Sequence, residues 1–296
     1  MLNPKSVILV ISLIFMSCNV NVKKEVEEEI RDKFSIVEGN FALAFIMIDD
    51  NDNSIVINEN EMFHAASTMK TPVMIEAFKQ DANGIIDLQD SLIVKNSFSS
   101  IVDSSLFSLD IGRDSGDKHY EAIGKKETYY NLVYDMIINS SNLATNIVIE
   151  KLGAKNVMKT MDELGAKSIK VLRGVEDMKA YDAGLNNETS AKDLMILFQK
   201  IAEGKAVNPK ADDRMIEILL NQKHDSMIPA KLPSGVKVAH KTGSISGVMH
   251  DSGIVILPDG SKYVLVILSK NIANVDEATV MMADVSKIIY DYVVKW

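Results

Sequence analysis

Followed along its apolar positions, the chain changes period more than once. Lys23 to Glu38 place Val26, Ile30, Phe34 and Val37 at helical spacing among charges, which predicts an amphipathic helix. Two apolar runs follow, Phe41–Ile48 and Ser54–Ile57, separated by the turn formers Asp49 to Asn53. β-rich runs joined in this way predict a hairpin. From about Met69 to Leu220 apolar residues fall three and four apart, most plainly over Val73–Phe78, Tyr129–Ile138, Leu143–Leu152, Val157–Leu164 and Ala191–Ile201. Only Ile93 to Lys126 breaks that pattern, and there Ser, Asp and Gly predict loop with a small hairpin. Strand-like sequence returns at Val236–Ser244, Gly253–Leu257 and Tyr263–Ser269, with Pro258-Asp259-Gly260-Ser261 as the turn between the last two. A final helix is expected from Asn274, with Glu277 as capping partner and Met281, Val285, Ile288, Ile289 and Tyr292 on one face. Strands at both ends with helices between them predict an α+β fold. Its antiparallel sheet forms from both chain ends, residues 18–62 and 226–296, is flanked by helices, and is interrupted by a mostly helical insertion, 63–225.

Composition adds limits. With 296 residues, 47% of them apolar, the chain can bury a full core, and 25% charged residues with six prolines argue against disorder. A formal charge of -9 and no basic run argue against nucleic acid as a partner. The first residues differ from the rest. Lys5 precedes a nearly unbroken apolar run, Val7 to Met16, and then Ser17-Cys18. This reads as an export signal over 1–17, too short to span a membrane. Cys18 is the only cysteine, so the exported part holds no internal disulfide. It is either incidental to a cleaved signal or, the preferred reading, a lipidation site. Phe15-Met16-Ser17-Cys18 resembles a lipobox with Phe15 in place of the usual Leu. The expected protein is a monomer at the cell surface or in the periplasm, anchored to the membrane by a lipid on Cys18.

Three short motifs carry chemistry. In Ser67-Thr68-Met69-Lys70, followed by Pro72, proline is tolerated only in a first helical turn, so a helix is expected to begin near Thr68. Ser67 then sits where free N–H groups and the dipole favour negative charge, with Lys70 on the same face. A serine hydroxyl needs a base, and a lysine kept neutral by its surroundings can serve. Alone, the tetrad is equally an N-cap serine beside an exposed lysine. Ser140-Ser141-Asn142 opens the next apolar helix and by itself reads as a cap. His240-Lys241-Thr242-Gly243-Ser244 lies in a strand, where Gly243 suggests that something approaches the backbone closely.

In this order the motifs resemble the S-x-x-K, S-D-N and K-T-G set of serine enzymes of the class A β-lactamase and penicillin-binding family. The resemblance runs from about Phe41 to Trp296 and takes in Asn146, Arg173 and the last helix. It implies acylation of Ser67, with Lys70 as proton acceptor and Ser140 passing a proton to the leaving nitrogen. It further implies Asn142 on the substrate amide and Lys241 and Thr242, beside Gly243 and Ser244, on its carboxylate. Backbone N–H groups of Ser67 and of Ile245 or Ser246 would form the oxyanion hole. A small-molecule β-lactam is the implied substrate, without cofactor or metal. The five histidines have no metal-ligand spacing. Two departures stand out. Ser141 replaces the expected Asp, which should alter local packing. The loop Arg173 to Asn187 fits the family's R-x-E-x-x-L-N pattern imperfectly: Glu176 comes one residue late after Arg173, and Asp182 has the right spacing to Leu185-Asn186. Glu176, fixed by an Arg173 salt bridge, is the first expectation for the deacylation acid and Asp182 the second. Ile93–Lys126 is longer than the resemblance leads one to expect. A D,D-peptidase or esterase on the same frame, and a penicillin-binding sensor that acylates without turnover, remain alternatives.

Overall fold

The strand-forming runs bury both faces of one sheet. The computed structural model describes residues 22–116 and 118–295. The expected signal segment and Cys18 lie outside the described residues. Strand β1 (Asn40–Met47) sends Ala42, Ala44 and Ile46 into one core and Phe41, Leu43 and Phe45 into another. Strand β2 is Ser54–Ile57. From the C-terminal end come β3 (Lys237–Ile245), β4 (Val248–Ile256) and β5 (Lys262–Lys270). The sheet order is β2-β1-β5-β4-β3, antiparallel throughout, with Phe45 opposite both Leu265 and Ile55. Residues two apart share a face, so β5 repeats the division, with Val264, Val266 and Leu268 on one side and Tyr263, Leu265 and Ile267 on the other. Small side chains of β1 thus face the helical insertion, and large ones face the terminal helices.

Those terminal helices are α1, helical over 22–36 and burying Ile30 and Phe34, and the last helix, Val275–Val293. Asn274 caps the latter as expected, its side chain accepting from the Asp276 and Glu277 N–H groups while its amide donates to Glu277 Oε1 (2.9 Å). The insertion holds α2 (Lys70–Ala82), α3 (Tyr129–Ile138), α4 (Asn142–Leu152) and α5 (Ala154–Leu164). A short helix, α6 (Met178–Asp182), and the longer α7 (Ala191–Ala202) and α8 (Pro209–Leu219) follow. The segment 93–126 contains the small hairpin expected of it, Phe98–Ser99 against Leu106–Phe107.

Two expectations need correction. Strand β4 begins five residues before Gly253, because buried His250, Asp251 and Ser252 interrupt the apolar pattern without interrupting the strand. Each has partners. His250 Nε2 lies 2.9 Å from the His64 carbonyl, Asp251 accepts the Ile228 N–H (3.0 Å), and Ser252 Oγ donates to the Lys241 carbonyl (3.2 Å). Buried polar groups are tolerated when so paired. Second, the helix expected near Thr68 begins as a 3-10 turn, Ala66–Met69, and becomes α-helical only at Lys70. The Ala65 carbonyl accepts from both the Thr68 N–H (3.0 Å) and Thr68 Oγ1 (2.6 Å), which tightens the first turn.

Candidate active site

The 3-10 turn places Ser67 beside strand β3. A Cβ at Gly243 would stand 3.1 Å from Thr68 N and 3.2 Å from Ser67 N, so glycine is what lets the strand lie against the turn. What approaches that glycine is the chain's own Ser67 turn. Ser67 is half-buried and its hydroxyl has no hydrogen bond among the described residues. It lines a cavity of about 740 Å³ together with His64, Arg113, Asn142, Glu176, Tyr181 and Ser244–Ser246.

Beneath this cavity two amines meet. Lys70 is fully buried in the first turn of α2, and its Nζ donates to the Ser140 carbonyl (2.6 Å), Ser140 Oγ (3.1 Å) and Asn142 Oδ1 (2.9 Å). Ser140 has φ +58°, a left-handed conformation immediately before the Ser141 N-cap of α4. From the other side Lys241, also fully buried, donates to Ser140 Oγ (3.1 Å) and to the Thr242 carbonyl (2.8 Å). Burial disfavours the charged amine. It takes Lys70 down to about 7, although Asp114 and Glu176 pull the other way. Burial first, then the Lys70 amine, take Lys241 well below the ordinary lysine range. Thr242 is buried and, like Lys241, lies behind the cavity wall, whereas Ser244 lines it.

The opposite wall is the loop after Arg173. The expected Arg173–Glu176 salt bridge does not form. The Arg173 guanidinium donates to the Leu185 carbonyl (3.0 Å), the Gly174 carbonyl (3.0 Å) and Asn186 Oδ1 (3.2 Å), closing the loop on itself. Asn187 ties the same end, accepting from Leu172 N–H (2.8 Å) and donating to the Arg173 carbonyl (2.9 Å). Asn146 holds the middle: it accepts the Val175 N–H (2.7 Å) and donates to the Val175 carbonyl (2.9 Å). A Cβ at Gly174 would stand 2.1 Å from Asn146 Oδ1, so the clamp closes only over glycine. Glu176 follows at φ +61°, with Oε1 accepting from Asn142 Nδ2 (2.8 Å). Burial raises its carboxyl above the usual range, and Asp114 adds to this while Asn142, Arg113 and Lys70 oppose it.

Asp182 is exposed on α6 and does not line the cavity. Of the two candidate acids, Glu176 and Asp182, the structure brings only Glu176 to the cavity that Ser67 lines. Ser141 is buried against Gly116, where a Cβ would stand 2.8 Å from Ser141 Cβ. The 93–126 segment therefore lies directly against Ser141. Asp177 anchors the segment to the Glu176 loop, accepting from Ser100 Oγ and the Ile101 N–H (2.9 Å each). Among the described residues no group of three or more His, Cys, Asp or Glu side chains could hold a metal ion.

A sequence model described as the beta-lactamase enzyme family matches residues 23–293. The chain belongs to that family. It is 24% identical over 277 residues to a beta-lactamase of Bacillus licheniformis, covering 90% of this chain and 85% of that one. The crystal structure of a beta-lactamase from Chitinophaga pinensis superposes with TM-score 0.79 at 20% identity, over 91% of this chain and 99% of that chain. A PBP-A variant determined as an acyl-enzyme complex with penicillin G is 26% identical with TM-score 0.78, over 94% and 97% of the two chains. The β-lactamase/transpeptidase-like α+β fold is therefore established for this family member, and hydrolase chemistry is supported.

Sequence reasoning missed Arg113, His64 and Tyr181 on the cavity wall and Asp114 behind it. None carries a local signal. Arg113 and Asp114 belong to the segment without periodicity, and their place follows only from its packing on α4.

Proposed function

We propose that this protein is a class A-type serine β-lactamase working through an acyl-enzyme on Ser67. One observation carries the reading: Asn142 joins the two halves of such a reaction, its Oδ1 on Lys70 and its Nδ2 on Glu176, beside Ser67 in one cavity. Lys70, near neutrality at about 7, accepts the Ser67 proton as Oγ attacks the lactam carbonyl. The C–N bond opens, and Ser140, in contact with both amines, delivers its proton to the departing nitrogen and takes its replacement from the Lys70 ammonium, which returns to the neutral amine. The Glu176 carboxylate, made a stronger base by burial, then takes a proton from the water that cleaves the ester and returns it to the departing Ser67 Oγ, restoring Ser67 and itself. Ser244 lines the cavity at the strand edge along which the substrate carboxylate and carbonyl would align, with Lys241, Thr242 and Gly243 behind it as the source of positive charge and of close packing on the Ser67 turn. Ser67 and Ile245 or Ser246 supply the N–H groups for the developing oxyanion. The acyl-enzyme form of the similar PBP-A variant supports the first half of this sequence.

Turnover of a chromogenic cephalosporin tests the reading, with intact-protein mass spectrometry alongside. Rapid multiple turnover, and an adduct with a slow β-lactam that Ser67→Ala abolishes, are expected. A single stoichiometric burst would make the protein a sensor. No reaction with the lactam would leave the peptidase or esterase reading, and an adduct surviving Ser67→Ala would remove Ser67 from its role.

We also propose export and lipidation at Cys18, resting on the apolar run ahead of it, with the monomer held at the membrane by that lipid. Wild-type protein should enter the detergent phase of a phase separation and Cys18→Ala should not. Recovery of the wild type wholly in the aqueous phase would overturn the anchor.

A further inference from the structure

The 93–126 segment delivers a carboxylate to the start of α4, where the middle motif carries Ser141 in place of an acid. Asp114 Oδ1 accepts the Asn142 N–H (2.8 Å) and Oδ2 accepts the Leu143 N–H (2.9 Å). These are first-turn donors that the Ser141 side chain, occupied with Ala144, leaves unserved. The Gly116 N–H (3.1 Å) and the Tyr120 hydroxyl (3.2 Å) hold the carboxylate from its own segment. Burial first, and Asp114 second, push the Tyr120 phenol up, so it stays a donor.

We propose that Asp114 is a positioning residue for both half-reactions. By gripping the backbone of Asn142 it fixes the side chain that bridges Lys70 and Glu176, and its charge acts on both of those groups. The proposal rests on the reading of the site given above. Lys70, on α2, meets Asp114, Glu176 and the Lys241 amine of β3, together with the neutral Ser140 and Asn142. Glu176, on its loop, meets Asp114, Arg113 and Lys70, together with the Asn142 amide. Asp114 is the one member of the set that pulls both groups toward protonation. It favours the Lys70 ammonium and disfavours the Glu176 carboxylate.

Lys70 must be neutral to accept the Ser67 proton, so acylation rises with pH through its titration. Glu176 must be ionised to act on water, so deacylation rises likewise. Asp114→Asn removes the charge that holds both titrations up, and both ascending limbs should move to lower pH by roughly one unit, the low end of what a nearby charge does. Asp114→Glu keeps the charge while loosening the grip, so its plateau rates should fall with both limbs at their wild-type positions.

The measurement is burst and steady-state kinetics with a chromogenic cephalosporin between pH 5 and 9, on the full chain and both variants. A residue that merely caps a helix would lower the plateaus of Asp114→Asn without moving its limbs, and that result would overturn the proposal. If Asp114→Asn is too unstable to assay, the double substitution Asp114→Asn/Ser141→Asp restores a carboxylate at the same helix start. Wild-type limbs in a folded double variant support the proposal, whereas limbs displaced to lower pH, or a protein that stays unfolded, overturn it. The functional reading fails separately: wild-type protein that forms no Ser67 adduct removes that reading, and this proposal with it.

Discussion

On one side of the cavity Lys70 and Lys241 are fully buried, held by a helix and a strand. On the other, Glu176 sits half-buried on a loop, at φ +61°. Burial acts on both sides with opposite consequences. It takes the amines down, Lys70 to about 7, and the Glu176 carboxyl up, so the Lys70 amine loses its proton more readily and the Glu176 carboxylate, where ionised, holds a proton more strongly. The difference lies in what holds them. The amine side is part of the core and cannot move without the sheet. The loop side is kept by polar clamps, Asn146 on Val175, Arg173 on Leu185 and Asp177 on Ile101. A single substitution can therefore misplace Glu176 and leave the fold intact.

The largest effect should come from the amine side. Lys70→Met is expected to reduce acylation by about 10²–10⁴-fold, with no burst at any pH. It also takes a donor from the Ser140 carbonyl and Asn142 Oδ1, so a drop in melting temperature is expected beside the loss of activity. A normal burst in the folded variant would remove Lys70 from its role. Next comes the loop. Glu176→Gln should leave the burst normal and lower the steady state by about 10²–10³-fold, while exposed Asp182→Asn behaves as wild type. Normal turnover in Glu176→Gln would end the distinction between the two sides. Smaller again is Gly174→Ala. Its new methyl group cannot coexist with the closed Asn146 clamp, so deacylation should slow by about 10²-fold or less with acylation untouched. Equal slowing of both phases would mean that the clamp serves the whole cavity.

The same contrast explains what could be read from residues alone. The amine side lies on regular elements, where spacing carries information: Ser67 and Lys70 three apart, Ser140 and Asn142 at a helix start, Lys241 to Ser244 along a strand. The hairpin, α3 and the last helix were equally legible, because their apolar residues repeat at the period of the element. Where burial is polar the signal fails. His250-Asp251-Ser252 hid half of β4, since a buried hydrogen-bonded triplet looks like a turn. The loop side was legible only as a choice between Glu176 and Asp182. Which acid faces Ser67 depends on Gly174 fitting under Asn146, a contact 28 positions apart in the chain. Asp114 was not legible at all, for a cap supplied from another segment leaves no mark at the helix it serves.

The smallest expected effect is on stability, and it tests whether the amine side is as self-contained as its burial suggests. His240, next to Lys241, is 1% exposed, with Nδ1 2.8 Å from Asp251 Oδ1 and Nε2 3.3 Å from Asp225 Oδ1. Burial alone would lower it, but Asp251 and then Asp225 outweigh that and push it up to about 9. A group raised in the folded state stabilises fully below its unfolded value, near 6.5, and loses that contribution as pH rises through about 9. Asp225 is exposed, so its share is screened. After that discount the contribution is about 2 kcal/mol. Urea midpoints of the wild type should therefore fall between pH 6.5 and 9.5, and those of His240→Gln should fall less steeply by that amount. Identical slopes would mean that the imidazolium contributes nothing and that Asp251 is satisfied by the Ile228 and Ser252 N–H groups alone. A steeper fall confined to the wild type would instead place a charged pair directly behind Lys241, on the side otherwise held by apolar burial. The proton on His240 would then add to the stability of the strand that carries the third motif, beside its nine-residue pairing with β4.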